Sequence, residues 1–170
     1  MVADLPPNEN VVIEDREISG PEDAPSVGVR IYRPKAASGV LPGIFFIHGV
    51  GMIMGSVEGE NLKATELCEA IQAVVVSVEY RLAPEQPHLA PVQDCYAALK
   101  WMAKNADDLA FDPNRLAVVG GSAGGGLTIA TTMMARDKGF PRICFQMPLY
   151  PMIDDRHETP SSYEIMDVGI

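Results

Sequence analysis

The sequence predicts an α/β fold, with a mostly parallel sheet and helices on both of its faces, in one domain over residues 1–170. Apolar runs typical of buried strands alternate with segments of helical spacing, and this order indicates βαβ units. Turns rich in glycine, proline and aspartate separate the segments. The hydrophobic fraction of 47% is ordinary for a globular protein and is enough to build a core.

The first two strands are predicted as a hairpin. Residues 11–18 and 27–32 mix apolar and polar side chains in rough alternation, which is typical of strands buried on one face only. Ser19, Gly20 and Pro21 provide the turn between them. We expect this hairpin to form the antiparallel edge of the sheet.

The later strands are expected inside the sheet, because their apolar runs are continuous. These runs cover residues 41–48, 74–80, 116–119 and 143–149. Helical composition or spacing predicts helices between them. These helices cover residues 58–70, 92–104 and 127–138. A turn is predicted at Asp112, Pro113 and Asn114, before the strand at 116–119.

Chemically reactive side chains follow the ends of these strands. They are His48, the segment 81–85, Ser122 and Asp154. Because the carboxyl ends of parallel strands meet at one edge of a sheet, we expect these side chains on one rim of the molecule.

A glycine-flanked serine lies between a predicted strand and a predicted helix. Gly120, Ser122 and Gly124 match the pattern G-x-S-x-G, in which a sharp strand-to-helix turn exposes the serine hydroxyl. The N–H of Ala123 would then lie at a helix N-terminus, where it can donate to a developing oxyanion. Ser122 is therefore a candidate nucleophile, and a glycine-rich turn with an incidental serine is the alternative. Dinucleotide and P-loop phosphate sites are disfavoured, because their glycine spacing is broken and no lysine follows.

Four motifs together resemble those of a known family. They are His48-Gly49-Val50-Gly51, Tyr80-Arg81-Leu82-Ala83-Pro84-Glu85, Gly120-Gly121-Ser122-Ala123-Gly124-Gly125 and Tyr150-Pro151-Met152-Ile153-Asp154-Asp155-Arg156. In this order they strongly resemble the motifs of the hormone-sensitive-lipase-like (family IV) carboxylesterases of the α/β-hydrolase fold. The resemblance covers the chain from about residue 11 to the last residue. The resemblance implies an α/β-hydrolase fold and a carboxylic ester hydrolase that acts on short-chain acyl esters. It implies no metal and no organic cofactor.

The resemblance also implies roles for single residues. Ser122 is the implied nucleophile, and Gly120 and Gly124 shape the elbow around it. A loop after a strand can present consecutive N–H groups to the oxygen that becomes negative in acyl transfer. The implied oxyanion-hole donors are the backbone N–H groups of Val50, Gly51 and Ala123. His48 and Gly49 are implied to support that loop.

The sequence departs from the family pattern. Val50 replaces the middle of three glycines, and a β-branched residue is strained there if φ is positive. Gly121 stands where the family often has an acidic residue. The N-terminal helices of the family, and the two strands that carry its acid and then its catalytic histidine, are not found within the 170 residues. We therefore expect a fragment truncated at both ends, which leaves the strand at 143–149 as an exposed apolar edge.

The missing base leaves a second function open. His88 and His157 lie in polar segments that could approach the rim, and a solvated surface histidine is the alternative to a general base for both. Asp154 and Asp155 match a structural turn of the family and not its catalytic acid. The alternative function is a catalytically incomplete module that binds a small apolar ligand or a second copy of itself.

Charge and composition restrict the partners. The formal net charge of −10 argues against nucleic acid and anionic membranes. The apolar runs are too short to span a bilayer and no signal peptide is visible, so we expect a soluble, cytoplasmic protein. Cys68, Cys95 and Cys144 lack a C-x-x-C spacing, which predicts three small core residues rather than disulfides or a zinc site. The expected partners are an ester substrate and, through the sheet edge, a second copy of the chain.

Overall fold

The computed structural model describes residues 8–22, 24–86, 88–156 and 158–164. Within these ranges the strands are β1 Val11–Ile18, β2 Val27–Pro34, β3 Leu41–Ile47, β4 Val74–Glu79, β5 Phe111–Gly121 and β6 Phe145–Leu149. The helices are α1 Asn61–Ile71, α2 Ala90–Lys104, α3 Ala123–Asp137 and α4 Pro160–Glu164. None of the helices found in these ranges has the length and apolar character needed to cross a membrane.

The strands form one sheet in the order β1-β2-β4-β3-β5-β6. The pairings of β1 with β2 and of β2 with β4 are antiparallel. The pairings of β3 with β4, β3 with β5 and β5 with β6 are parallel. The predicted antiparallel edge and mostly parallel sheet are therefore confirmed. The parallel pairings bring the carboxyl ends of β3 to β6 to the same edge.

Helices cover both faces of the sheet, as predicted. Successive strand residues point to opposite faces. On one face Cys68 of α1 belongs to the same apolar cluster as Val75 of β4. On the other face Leu99 of α2 and Leu127 of α3 cluster with Val76, the next residue of β4. The continuous apolar run of β4 thus has a physical reason, since neither of its faces meets water.

The turn predicted at residues 112–114 lies within β5 and not before it. The pairing of β5 with β3 shifts register between Phe111 and Leu116. In this interval the Asp112 carboxylate accepts the backbone N–H of Asn114 at 2.9 Å, a bond typical of turns. The turn residues were therefore identified correctly, but the strand continues on both sides of them.

β6 lies at the edge of the sheet, as expected for the segment 143–149, and Phe145 is 57% exposed. Cys68 and Cys95 are buried, whereas Cys144 is exposed. The expectation that all three cysteines are core residues is wrong for Cys144, because it directly precedes an edge strand that has a sheet neighbour on one side only.

Candidate active site

Ser122 is the residue between β5 and α3. Its backbone has φ of 55° and ψ of −117°, a conformation that residues other than glycine rarely adopt. The helix begins at the next residue, Ala123, and so earlier than the predicted start at residue 127. The chain therefore reverses from strand to helix within a single residue.

Two glycines permit this reversal through close backbone contact. A Cβ on Gly120 would lie 2.3 Å from the carbonyl oxygen of Gly124, and a Cβ on Gly124 would lie 2.1 Å from that of Ile47. Backbone atoms cannot move away cheaply, so only glycine fits at either position. The start of α3 is thereby brought against the end of β3.

Backbone hydrogen bonds hold Ser122 to the chain that follows β6. The N–H of Ser122 donates to Leu149 O at 3.0 Å, and the N–H of Met152 donates to Ser122 O at 3.0 Å. Gly126 N–H donates to the same oxygen at 3.1 Å. Both backbone polar groups of the serine are thus bonded, which fixes its rare conformation.

The loop after β3 passes beside Ser122. A Cβ on Gly49 would lie 3.6 Å from Ser122 Cβ. The next three residues, Val50, Gly51 and Met52, have positive φ of 69°, 69° and 64°. Val50 therefore has the left-handed backbone that a β-branched residue disfavours.

His48 is fully buried behind this loop. Its ring stacks on Tyr80, with centroids 4.1 Å apart and planes 13° from parallel, and its Nδ1 lies 3.2 Å from Gly49 O. Burial lowers the pKa of His48 below its usual 6.5, although the carboxylate of Glu79, 4.0 Å from Nε2, acts in the opposite direction. The imidazole is therefore neutral near pH 7, and its Nδ1 is engaged by the loop.

An ion pair between the half-buried Arg81 and the fully buried Asp94 connects the segment after β4 to α2. Arg81 Nε and Nη2 donate to the two carboxylate oxygens of Asp94 at 2.8 and 2.7 Å, and Arg81 N–H donates to the same group at 3.0 Å. This pairing raises the pKa of Arg81. Two residues later, Ala83 N–H donates to Met52 O at 2.9 Å. The ion pair thus holds the segment that anchors the far end of the loop after β3.

Two cavities lie at this rim. The smaller, of about 230 Å³, contains Ser122 and is also lined by Gly49, Val50, Leu149 and Tyr150. The larger, of about 590 Å³, lies between the loop after β3, the start of α2 and the first half of α3, and most of its lining is apolar. The nucleophile candidate therefore shares its cavity with Gly49 and Val50, whereas Gly51, the third predicted residue of the loop, lines the larger cavity.

The remaining candidates from the sequence do not share the Ser122 cavity. His88, Asp154 and Asp155 line the larger cavity. His157 lies outside the described residues. No group of histidine, cysteine and acidic side chains suitable for a metal ion is found in the part of the chain that the structure describes.

Sequence reasoning missed several neighbours of the site. Glu60 and Lys63 line the Ser122 cavity and pair with each other at 2.7 Å, and Tyr150 lines it as well. No local pattern connects these residues with Ser122, because the contacts are made across the fold. Tyr80 lies in the motif of residues 80–85, directly after a buried strand. This position was the feature of the sequence that could have indicated a residue in contact with the loop after β3.

Comparisons with known proteins agree with this arrangement. A family model described as the alpha/beta hydrolase fold matches residues 44–168. Carboxylesterase NlhH of Mycobacterium tuberculosis is 39% identical over 158 residues, which cover 93% of this chain and 49% of that protein. Esterase LipI of the same organism is 35% identical over 167 residues, with coverage of 97% and 52%. The solved structure of a bacterial heroin esterase has a TM-score of 0.91 at 39% identity, and covers 95% of this chain and 50% of that one.

The chain spans about half the length of these relatives. The family model nevertheless covers most of the chain, and the fold superposes closely on a solved esterase. The chain therefore belongs to the hormone-sensitive-lipase-like (family IV) carboxylesterases of the α/β-hydrolase fold.

Proposed function

We propose that the chain carries the nucleophile and oxyanion hole of a carboxylic ester hydrolase that acts on short-chain acyl esters. One observation supports this proposal most. Ser122 has the rare backbone conformation of a sharp strand-to-helix turn, and it lines a cavity together with Gly49 and Val50 of the loop after β3. Relatives named carboxylesterase and esterase support the reaction class. The modest cavity volume, about 230 Å³, supports a short acyl group.

In the proposed reaction Ser122 Oγ attacks the acyl carbon, and the electron pair of the carbonyl bond moves onto its oxygen. The N–H groups of Val50, Gly51 and Ala123 donate to this oxyanion. The N–H of Ala123 is free for this purpose because the first N–H groups of an α-helix have no acceptor within the helix, and the helix dipole favours negative charge there. The carbonyl bond then re-forms and the ester C–O bond breaks, and the alcohol leaves with the proton that the base took from Ser122. Water hydrolyses the acyl-serine to the acid and free Ser122.

A general base must accept the proton of Ser122. His48 is buried with Nδ1 engaged by Gly49, and His88 lines the other cavity. We therefore assign the base to a histidine outside the described residues, oriented by an acid in the order Ser, Asp or Glu, His. His157, further sequence of a longer protein or a partner chain would provide it.

Hydrolysis of p-nitrophenyl butyrate tests the proposal. We expect Ser122→Ala to reduce turnover to background, because Ser122 Oγ is the atom that forms the acyl intermediate in the proposed reaction. Ser161→Ala, at an exposed serine of α4, is the matched control and should keep the rate of the unmodified chain.

Equal background rates in the unmodified chain and in both variants, at every protein concentration tested, would show that neither His157 nor a partner chain supplies the base, and would contradict the proposal for the 170 residues alone. They would favour the second candidate, a non-catalytic module that binds a small apolar ligand in the larger cavity. A rate per chain that rises with protein concentration would show that a partner chain supplies the base.

We also propose where the chain is located and through which strand it associates with a second copy. The free thiols of Cys68, Cys95 and Cys144 are consistent with the reducing cytoplasm, to which we assign the chain. We further assign self-association to the apolar edge of β6.

A further inference from the structure

The loop after β3 needs to be held in place. Val50 and Met52 both have the left-handed conformation, which side-chain-bearing residues avoid. The surroundings must therefore determine which way each peptide plane of the loop faces. That choice matters for catalysis, since an N–H serves an oxyanion only if it points at it.

Tyr80, the residue after β4, contacts the two peptide planes at the start of this loop. Its side chain is 2% exposed. Its hydroxyl lies 3.0 Å from His48 O and 3.2 Å from Gly49 O, and donates its proton between them. Burial raises the pKa of Tyr80, so the hydroxyl remains a donor. The stacked imidazole of His48 adds a second contact to Gly49 O through Nδ1, at 3.2 Å.

Because a peptide unit is planar, the hydrogen bond from Tyr80 to Gly49 O also affects the direction of the Val50 N–H, a proposed donor of the oxyanion hole. The carbonyl of Gly49 and the N–H of Val50 belong to one trans peptide unit and point in opposite directions. Tyr80 holds the carbonyl oxygen toward the buried interior. The Val50 N–H therefore points away from Tyr80. Val50 lines the same cavity as Ser122.

We propose that Tyr80 is a positioning residue of the oxyanion hole: its hydroxyl sets the peptide plane that aims the Val50 N–H at the substrate oxygen. The proposal rests on the ester hydrolase proposed above, in which that N–H is a donor. It assigns to Tyr80 no contact with substrate.

The variant Tyr80→Phe tests this role, because it removes the hydroxyl and keeps the stacked ring. Tyr96→Phe is the matched control: Tyr96 is also buried, and its hydroxyl also donates to a backbone carbonyl, that of Phe140 at 2.8 Å, in a different part of the fold. Both variants remove a tyrosine hydroxyl that donates to backbone carbonyl oxygen, two acceptors for Tyr80 and one for Tyr96. Only Tyr80→Phe removes a hydrogen bond to the peptide plane before Val50.

Two measurements are made on the 170-residue chain. For hydrolysis of p-nitrophenyl butyrate, we expect Tyr80→Phe to lower kcat about tenfold with little change in KM, less than the loss of an entire oxyanion donor. In two-dimensional NMR, we expect the Val50 amide signal to shift and its hydrogen exchange to accelerate in Tyr80→Phe. Tyr96→Phe should leave kcat and the Val50 amide unchanged. A 4-aminophenylalanine at position 80, which restores a weaker donor, should recover kcat and the Val50 amide signal in part. If Tyr80→Phe does not fold, this variant is compared with the unmodified chain, and an unchanged kcat and Val50 amide would overturn the role.

The outcomes separate this proposal from the esterase proposal. If Tyr80→Phe and Tyr96→Phe have the same kcat and leave the Val50 amide in place, the positioning role is overturned. If the unmodified chain shows no turnover that depends on Ser122, the esterase proposal fails for this chain and the amide measurement alone decides the role of Tyr80. A Val50 amide that responds only to Tyr80→Phe supports the role, and one that does not respond overturns it.

Discussion

Single residues at the rim differ in how directly the sequence reveals them. Gly120 and Gly124 are recognisable in the sequence because they form the G-x-S-x-G pattern with Ser122. The pattern predicts a tight turn, and close backbone contacts require glycine at both positions. Val50 was expected to be strained if its φ was positive, and its φ is 69°. The burial of His48 could not be derived from the residue type, because burial depends on the strands and loops that surround it in space.

His48 gives a prediction at this scale. Because burial lowers its pKa in the folded state, the unfolded chain takes up the proton first as the pH falls. The contribution of the neutral, buried imidazole to the free energy of unfolding is therefore complete above about pH 6.5. It is lost as the pH falls below about 6.5 toward the lower pKa of the folded state. We expect an NMR titration of the His48 ring to have its midpoint below the usual value of 6.5. A midpoint at or above the value of a histidine in a short peptide would show that the contact with Gly49 O and the charge of Glu79 together outweigh burial.

At the scale of elements, the order of strands and helices could be predicted and their ends could not. Continuous apolar runs identified β3 and β4, because a strand covered on both faces has no polar side to interrupt its sequence. The start of α3 was predicted too late, since the glycines after Ser122 have low helix propensity. Tertiary packing overrides that propensity: α3 starts where Gly124 allows it to approach Ile47. Such contacts between distant residues are absent from a local pattern.

The ion pair between the segment after β4 and α2 gives the prediction for this scale. We expect Arg81→Ala to reduce the free energy of unfolding by about 2–4 kcal/mol, because it leaves the fully buried carboxylate of Asp94 without its charged partner. Arg136→Ala, which breaks the exposed pair with Asp137, is the control and should cause no measurable loss. Urea titration measures both variants. Equal losses of unfolding free energy in the two variants would show that the ion pair of the buried Asp94 stabilises the fold no more than an exposed ion pair does.

At the scale of the whole molecule, the two edges of the sheet differ. The edge strand β1 carries charged side chains, Glu14, Asp15 and Arg16, which oppose the addition of another strand. The edge strand β6 has the sequence Phe-Gln-Met-Pro-Leu and no charge. The net charge of −10 therefore does not protect the β6 edge locally.

This difference predicts where copies of the chain associate. In sedimentation experiments over a range of concentrations, we expect the unmodified chain to form dimers or larger species, and Phe145→Lys to shift it toward the monomer. Phe145 is 57% exposed on β6, whereas Val12, 47% exposed on β1, provides the control Val12→Lys. A chain that stays monomeric throughout, or equal effects of the two substitutions, would contradict association through β6.

The hydrogen bonds that join Ser122 to Leu149 and Met152 also have a consequence for biosynthesis. A chain is made from its N-terminus, so β5 and α3 leave the ribosome before the segment that fixes the serine between them exists. Ser122 acquires its final backbone conformation only after translation has passed residue 152 and that segment has docked. A nascent chain thus contains the whole glycine-serine motif for some time before Ser122 has the conformation that the proposed nucleophile requires.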